Sequence, residues 1–471
     1  MFTLVKWNGD YGQLPTWMSL FGGGNPAILI LLPDRLPACF DSDNSSMSKK
    51  LLVLPFLLLS ACTPNHYYRT EISDTPCKLN QTNSCISANL VENKTDNYRF
   101  GFVEIDDQGQ FYDQRQVESL LKNLKTETQP QYVAIYVHGW HHNANETDYN
   151  LKRFKDILKD SKARNPNHAV TGVYIGWRGE TIDLPWLKLL SFWDRKSVSE
   201  EVGRNSLLDL LLQIESIIKT PANSDNKLLT IGHSLGASVI FNALHPLLLQ
   251  RLNQPADSSL RHGFGDMVVL VNPAFEAIRY AAIRDAAQRH SRQFQFSDKQ
   301  KPLMIIATAE SDNTTKLAFS WGRKISTVFE EHRLYSTLNT DLSEQWLSEW
   351  DLDTTAIGHF NPYITHKLQA ETSSEDYQCS ANPGWLETAV QRQKQSQSAK
   401  GSHSTGLGWT IQNTLQTDVI KLQLSHLQQS AANDPYWVLQ TDANIFPNHG
   451  FISQKHFWCF VDLTMTQAVW K

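Results

Sequence analysis

No stretch of about 18 or more consecutive apolar residues occurs in the 471-residue chain, which excludes an ordinary transmembrane helix. Charge of either sign is not in excess: 43 Lys and Arg face 48 Asp and Glu, a formal net charge of −5. Nothing there is basic enough to neutralise a phosphate backbone, so no nucleic-acid partner is expected. Cysteine is scarce, with six in all. No cysteine or carboxylate near the cluster His138, His141 and His142 has the spacing of a zinc site, and no metal or cofactor is expected. Internal repeats are absent, which excludes a solenoid or propeller. What remains is a globular composition, 41% hydrophobic and 19% charged, with length enough for one large α/β domain carrying insertions or for two domains.

One apolar run is too short to span a membrane but sits in an informative context. Met47-Ser48-Lys49-Lys50 is a basic start, Leu51 to Leu59 is a compact apolar stretch, and Leu59-Ser60-Ala61-Cys62 follows. The sequence resembles a bacterial lipoprotein signal peptide over 47–61 with its lipobox, which implies cleavage before Cys62 and lipidation of that residue. Such signals work near the start of a chain. Translation is therefore expected to begin at Met47, with residues 1–46 a mis-assigned or disordered extension. By the same resemblance, Thr63 in place of Asp after the cysteine implies the outer membrane of a Gram-negative envelope. Residues 62–97, rich in Asn, Thr and Ser, read as a tether, and 98–471 as the folded domain. In an oxidising compartment the four cysteines left after Cys39 and Cys62 can pair. Cys77 and Cys85 can close a small loop, and Cys379 with Cys459 can tie down the C-terminal region; connectivity, and the option of free thiols, stay open.

Beyond residue 98 the pattern alternates. Arg99 to Ile105, a turn, and Phe111 read as a hairpin, and Gln114 to Leu124 as a helix. Tyr132 to Val137 is a near-continuous apolar run of the kind found in strands covered on both faces. A helix (Tyr149 to Lys162), a strand (Ala169 to Ile175), a leucine-rich helix (about 203–219) and a strand leading to Ser234 follow. Further strands are read at Met267 to Val271 and Leu303 to Ala309, with a helix near 275–290 between them. The last strand is read at Tyr436 to Thr441. Strands alternating with helices predict the α/β class, a mostly parallel sheet flanked by helices. Two insertions interrupt it: an aromatic, irregular one near 181–200 with Pro185, Trp186, Leu187, Leu189, Leu190, Phe192 and Trp193, and an irregular one near 370–430.

The chemistry centres on Gly232-His233-Ser234-Leu235-Gly236. An apolar strand runs into it and a small-residue helix start leaves it, so the serine is expected in a sharp turn with its hydroxyl above the sheet. A serine needs a base, and the base needs an orienting carboxylate. Asp312, after the strand ending at Ala309, is the expected acid, although Asp312-Asn313-Thr314-Thr315 is also a good helix cap; Glu310 is the fallback. Two histidines compete for the base. Topology favours His449, on the loop after the last strand, whereas the Gly358-His359 pair favours His359; the reading leans to His449 and leaves the choice open. Oxyanion donors are expected from the backbone N–H of Leu235 and of Trp140, in His138-Gly139-Trp140.

These blocks, with Gly172 to Gly179 and Asn272-Pro273-Ala274-Phe275, resemble the α/β-hydrolase superfamily, more narrowly bacterial esterase- or lipase-like proteins with a His-Gly-Trp turn. The resemblance covers about residues 98–366 and the terminal strand. It implies an α/β-hydrolase fold and a serine hydrolase acting on carboxylic esters, with membrane attachment through Cys62. The aromatic residues near 181–200 favour a substrate with an apolar acyl or aromatic part. The competing readings are a non-catalytic lipoprotein scaffold or binding module on the same fold, and a phospholipase, thioesterase or amidase using the same residues.

Overall fold

The computed structural model describes residues 66–80, 84–180, 188–220, 225–254, 260–294, 296–297, 299–338, 343–370, 422–427, 429–431, 433–450 and 452–465, without the side chains of 188–190, 338 and 423. The first elements are β1 (Cys77–Leu79), β2 (Leu90–Asn93), β3 (Tyr98–Ile105), α1 (Gln114–Thr126), β4 (Gln131–Val137), α2 (Tyr149–Arg164) and β5 (Ala169–Trp177). Next come α3 (Lys188–Arg204), α4 (Ser206–Ile218), β6 (Lys227–His233), α5 (Leu235–Asn253), β7 (Met267–Val271), α6 (Ala277–Gln293) and β8 (Met304–Ala309). A π-helical stretch, Thr314–Phe319, then runs into α7 (Ser320–Ser326). The chain continues through β9 (Leu334–Leu338), β10 (Glu344–Ser348), α8 (Glu349–Thr354), β11 (His366–Ala370), β12 (Leu422–His426), β13 (Tyr436–Thr441) and α9 (Lys455–Met465).

Eleven strands form one sheet in the order β1-β2-β3-β5-β4-β6-β7-β8-β13-β11-β12, and β9 with β10 makes a separate hairpin. From β3 to β11 every pairing is parallel, while β2 on β3 and β12 on β11 are antiparallel. The fold is therefore of the α/β class.

Period-two alternation divides the apolar residues between the two faces. Val133, Ile135 and Val137 of β4 join a core beneath α1, α3, α4, α5 and α6. Tyr132, Ala134 and Tyr136 of the same strand point the other way, toward α2 and α9. With both faces covered, the central strands carry no polar face, which is why they read as continuous apolar runs.

Three expectations change in the structure. Phe111 makes only an isolated bridge to Ile105, and β3 takes its antiparallel partner from β2 instead. Within the span read as a tether, β1 and β2 extend the sheet edge, and Arg69 is fully buried. Its guanidinium lies 3.8 Å over the Phe102 ring and reaches Glu146 at 2.9 Å, while the Glu104 carboxylate accepts the Arg69 N–H at 2.8 Å. Buried polar contacts of this kind leave no hydrophobic signature in a sequence. The third change concerns 181–200, read as irregular: from Lys188 it is the helix α3. Its amphipathic signal is missing because it buries charges, Arg195 against Asp107 at 2.7 Å and Lys196 against Glu276 at 2.6 Å.

Cys77 and Cys85 are disulfide-bonded, and Cys459 is also in a disulfide. Cys379, the extension 1–46, the signal at 47–61, Cys62, Trp186 and most of the 370–430 insertion lie outside the described residues. No helix among the described residues is long and apolar enough to cross a membrane.

Candidate active site

After β4 the chain turns to β5 on one side of it, and β6 then lies on the other side, so the connections diverge between β4 and β6. The crevice at the carboxyl ends of strands that diverge in this way is where open α/β sheets bind ligands. Ser234 sits there, one residue past the end of β6. Its backbone is at φ 55° and ψ −119°, a conformation rare for a non-glycine residue. The turn is held by Ser234 N–H donating to Val271 C=O at 3.0 Å. Close packing requires the glycine two residues on: a Cβ on Gly236 would lie 2.1 Å from the Val137 carbonyl oxygen.

His449 arrives from the loop after β13. Its backbone carbonyl accepts from His233 Nε2 at 2.9 Å and from Asn272 Nδ2 at 2.8 Å. This aims the imidazole, whose Nε2 is 2.8 Å from Ser234 Oγ and whose Nδ1 is 2.8 Å from Asp312 Oδ2. Asp312 follows β8 and is fully buried. It is also the cap that the sequence suggested: Oδ1 accepts from Thr314 N–H at 3.0 Å and Thr315 N–H at 3.2 Å. Burial alone would raise the Asp312 carboxyl, but the bonds from His449 and Thr315 outweigh it and hold its pKa below the ordinary value. Glu310, the fallback acid, instead faces Lys367 at 3.0 Å.

The structure brings His449 to the serine and gives His359 a different position. His359 Nε2 lies 3.0 Å from Thr315 Oγ1, and that hydroxyl donates to Asp312 Oδ2 at 2.5 Å. Burial pushes the His359 imidazole down to about 4, so near neutral pH it is an uncharged donor to Thr315. His359 thus stands one residue behind the acid.

The His138-Gly139-Trp140 turn lies against the serine, since a Cβ on Gly139 would come within 2.8 Å of Ser234 Cβ. Among the described residues no acceptor takes the backbone N–H of Leu235 or of Trp140. The Trp140 ring packs edge-on against Phe192 at 5.2 Å, and Phe192 packs in turn on Trp193 at 5.2 Å.

The three histidines of this turn diverge to separate partners. His138 Nδ1 donates to Gly139 C=O at 3.0 Å, and its Nε2 accepts from Trp177 N–H at 3.0 Å. His142 bonds Asp148 and Asn150, and His141 pairs with Glu180 at 2.5 Å. Burial drives His138 to about 4; burial and the neighbouring His449 drive His233 to about 3. Among the described residues, one His/Cys/Asp/Glu group has converging donor atoms, Glu330, His332 and Asp353, but Asp353 is already engaged by Arg323 at 2.6 Å.

Reasoning from sequence did not find the supporting residues His233, Asn272 and Thr315. A signal existed for two of them: Thr315 lies three residues after Asp312 in the cap it opens, and Asn272 follows the strand Met267–Val271 directly and precedes Pro273. No protein-family model matches the chain and no curated protein matches it in sequence.

Proposed function

We propose that this chain is a serine hydrolase of carboxylic esters built on an α/β-hydrolase fold, working through an acyl-enzyme. The observation that carries the reading is the continuous hydrogen-bonded path from Ser234 through His449 to the buried Asp312. Its members follow β6, β8 and β13 in the chain order serine, acid, histidine, the order that belongs to this fold. The positive φ of Ser234 and the crevice between β4 and β6 support it further.

The chemistry then runs in two halves. Ser234 Oγ attacks the ester carbonyl carbon while His449 Nε2 takes the hydroxyl proton, and Asp312 stabilises the resulting imidazolium. The N–H groups of Leu235 and Trp140 receive the oxyanion, each contributing about 10²-fold or more. Collapse breaks the carbonyl carbon–alkoxy oxygen bond, and His449 returns its proton to the departing alcohol. Water, deprotonated by His449, attacks the acyl carbon and releases the acid with Ser234 restored. Trp140, Phe192 and Trp193 support an apolar acyl or aromatic group on the substrate. We propose in addition that lipidated Cys62 holds the enzyme at the envelope membrane, a reading that rests on the sequence of residues 47–62.

A fluorophosphonate probe tests the central claim. Stoichiometric labelling that peptide mapping assigns to Ser234, and that vanishes in Ser234→Ala, is the expected result. A folded wild-type protein that takes no label would instead favour the scaffold reading.

Thr315 and His359 act through Asp312, and their variants are expected to separate position from chemistry. Thr315→Val removes the hydroxyl donor to Asp312 Oδ2 while leaving the backbone donors to Oδ1, and the less stabilised carboxylate then holds the His449 proton more tightly. The acid limb of the pH profile of kcat/KM is expected to move to higher pH, with a loss of about tenfold at neutral pH. Thr315→Ser should restore it. An unchanged profile in Thr315→Val would leave the hydroxyl a merely structural cap.

A further inference from the structure

Of the eleven large apolar side chains exposed among the described residues, five fall between 317 and 329: Leu317, Trp321, Ile325, Val328 and Phe329. Trp321 is 70% exposed and Phe329 98% exposed. Spacings of four residues from Leu317 to Trp321 to Ile325 align them along one outer side of the helical stretch 314–326, and Val328 and Phe329 continue it in the following turn. The opposite side is already occupied, since Phe319 is buried and its ring lies 5.9 Å from that of Trp193. The outward stripe is therefore surplus to the core, and contiguous apolar surface of this kind marks an interaction site.

Charge identifies the occupant. Residues 314–329 contain Lys316, Arg323 and Lys324 and no Asp or Glu. Arg323 is engaged by Asp353 at 2.6 Å and Glu276 at 3.1 Å, whereas Lys316 and Lys324 make no ion pair among the described residues. The anions around the stripe have other partners or lie past its end: Asp353 and Glu276 hold Arg323, Asp312 is bonded to His449 and Thr315, Glu310 faces Lys367, and Glu330 and Glu331 follow Phe329. An apolar helical side carrying an exposed tryptophan and flanked by unpaired lysines has the composition of a helix lying at a membrane interface. A two-fold contact with a second copy would bring like lysines together.

We propose that the face formed by Leu317, Trp321, Ile325, Val328 and Phe329 docks onto a lipid surface bearing anionic headgroups. Leu317 and Trp321 also line a cavity of about 650 Å³ that His359 borders, so docking would turn this cavity toward the bilayer. The inference does not depend on the hydrolase reading, because binding is measured without turnover.

The test uses the full chain and vesicles of phosphatidylcholine with or without phosphatidylglycerol, read by co-sedimentation and by hydrogen exchange. Every variant keeps residues 1–62, so differences between variants report the face alone. Vesicles containing phosphatidylglycerol are expected to slow exchange in peptides spanning 314–330. Trp321→Ser with Phe329→Ser is expected to weaken binding about tenfold or more. Lys316→Glu with Lys324→Glu is expected to abolish the preference for anionic vesicles, each lysine contributing about fivefold. Both positions are solvent-facing, and unchanged exchange elsewhere in the chain verifies folding. Three results would overturn the proposal: binding undiminished in the serine variant, no protection of 314–330 on vesicle binding, or protection already present without lipid. Protection without lipid that rises with protein concentration would assign the face to a second copy. If it were independent of concentration, another segment of this chain would be the cover.

Discussion

Replacing His449 with alanine is expected to lower kcat for a short-chain p-nitrophenyl ester by about 10⁴- to 10⁶-fold, and Ser234→Ala by a similar factor. His359→Ala is expected to cost about tenfold or less. The asymmetry follows from position. His449 Nε2 lies 2.8 Å from Ser234 Oγ, so under the proposed mechanism its loss leaves the serine with no base. His359 is separated from the reacting atoms by Thr315 and Asp312, and the Thr315 hydroxyl can still donate to the carboxylate without it. The double variant Ser234→Ala/His449→Ala should be scarcely worse than either single one, because the two groups act as a unit. Steady-state kinetics with burst titration of active sites measures all four. Equal losses in His359→Ala and His449→Ala, both folded, would contradict the assignment of the base.

Acid is expected to destabilise the fold well before most carboxylates titrate. His138 and His359 are held down to about 4 and His233 to about 3, and His366 is held well below its ordinary value, all chiefly by burial. An unfolded chain protonates these histidines near the ordinary value of about 6.5. Between pH 6.5 and about 4 the unfolded state therefore binds more protons than the folded one, so stability rises with pH across that window and is lost on acidification. Asp434 opposes this. Its burial raises the carboxyl to about 7, so the folded state gains a proton there that an unfolded aspartate would not hold until near 3.8. Burial also raises the carboxyls of Glu104, Asp160 and Asp442, which oppose the loss in the same way, and the four histidines are expected to outweigh them. Urea midpoints measured from pH 7.5 to pH 4.5 check this, with the steepest fall expected below pH 6.5. A flat or rising profile would show that the folded protein takes up these protons as readily as the unfolded chain.

Local chemistry made much of this protein legible in its sequence. The buried strands β4, β6, β7 and β8 announce themselves because a strand covered on both faces must be apolar throughout. Ser234 is legible because the strand, tight turn and helix around it need glycines at fixed places. Asp312 could be read as a cap, and it is one.

Tertiary structure decided what depends on distance across the fold. The gap of 215 positions between Ser234 and His449 closes only because β13 inserts beside β8, and no local pattern encodes that pairing. The positions of the two histidines stayed open in the sequence, where topology leaned to His449, for the same reason: each sits in a loop, and only packing puts one on the serine and the other on Thr315. Arg69 and α3 escaped notice because they bury charge against partners far away in the chain, Glu146 and Asp107 among them. Apolar periodicity reports how an element meets water or oil; it carries no information about which buried ion will meet which.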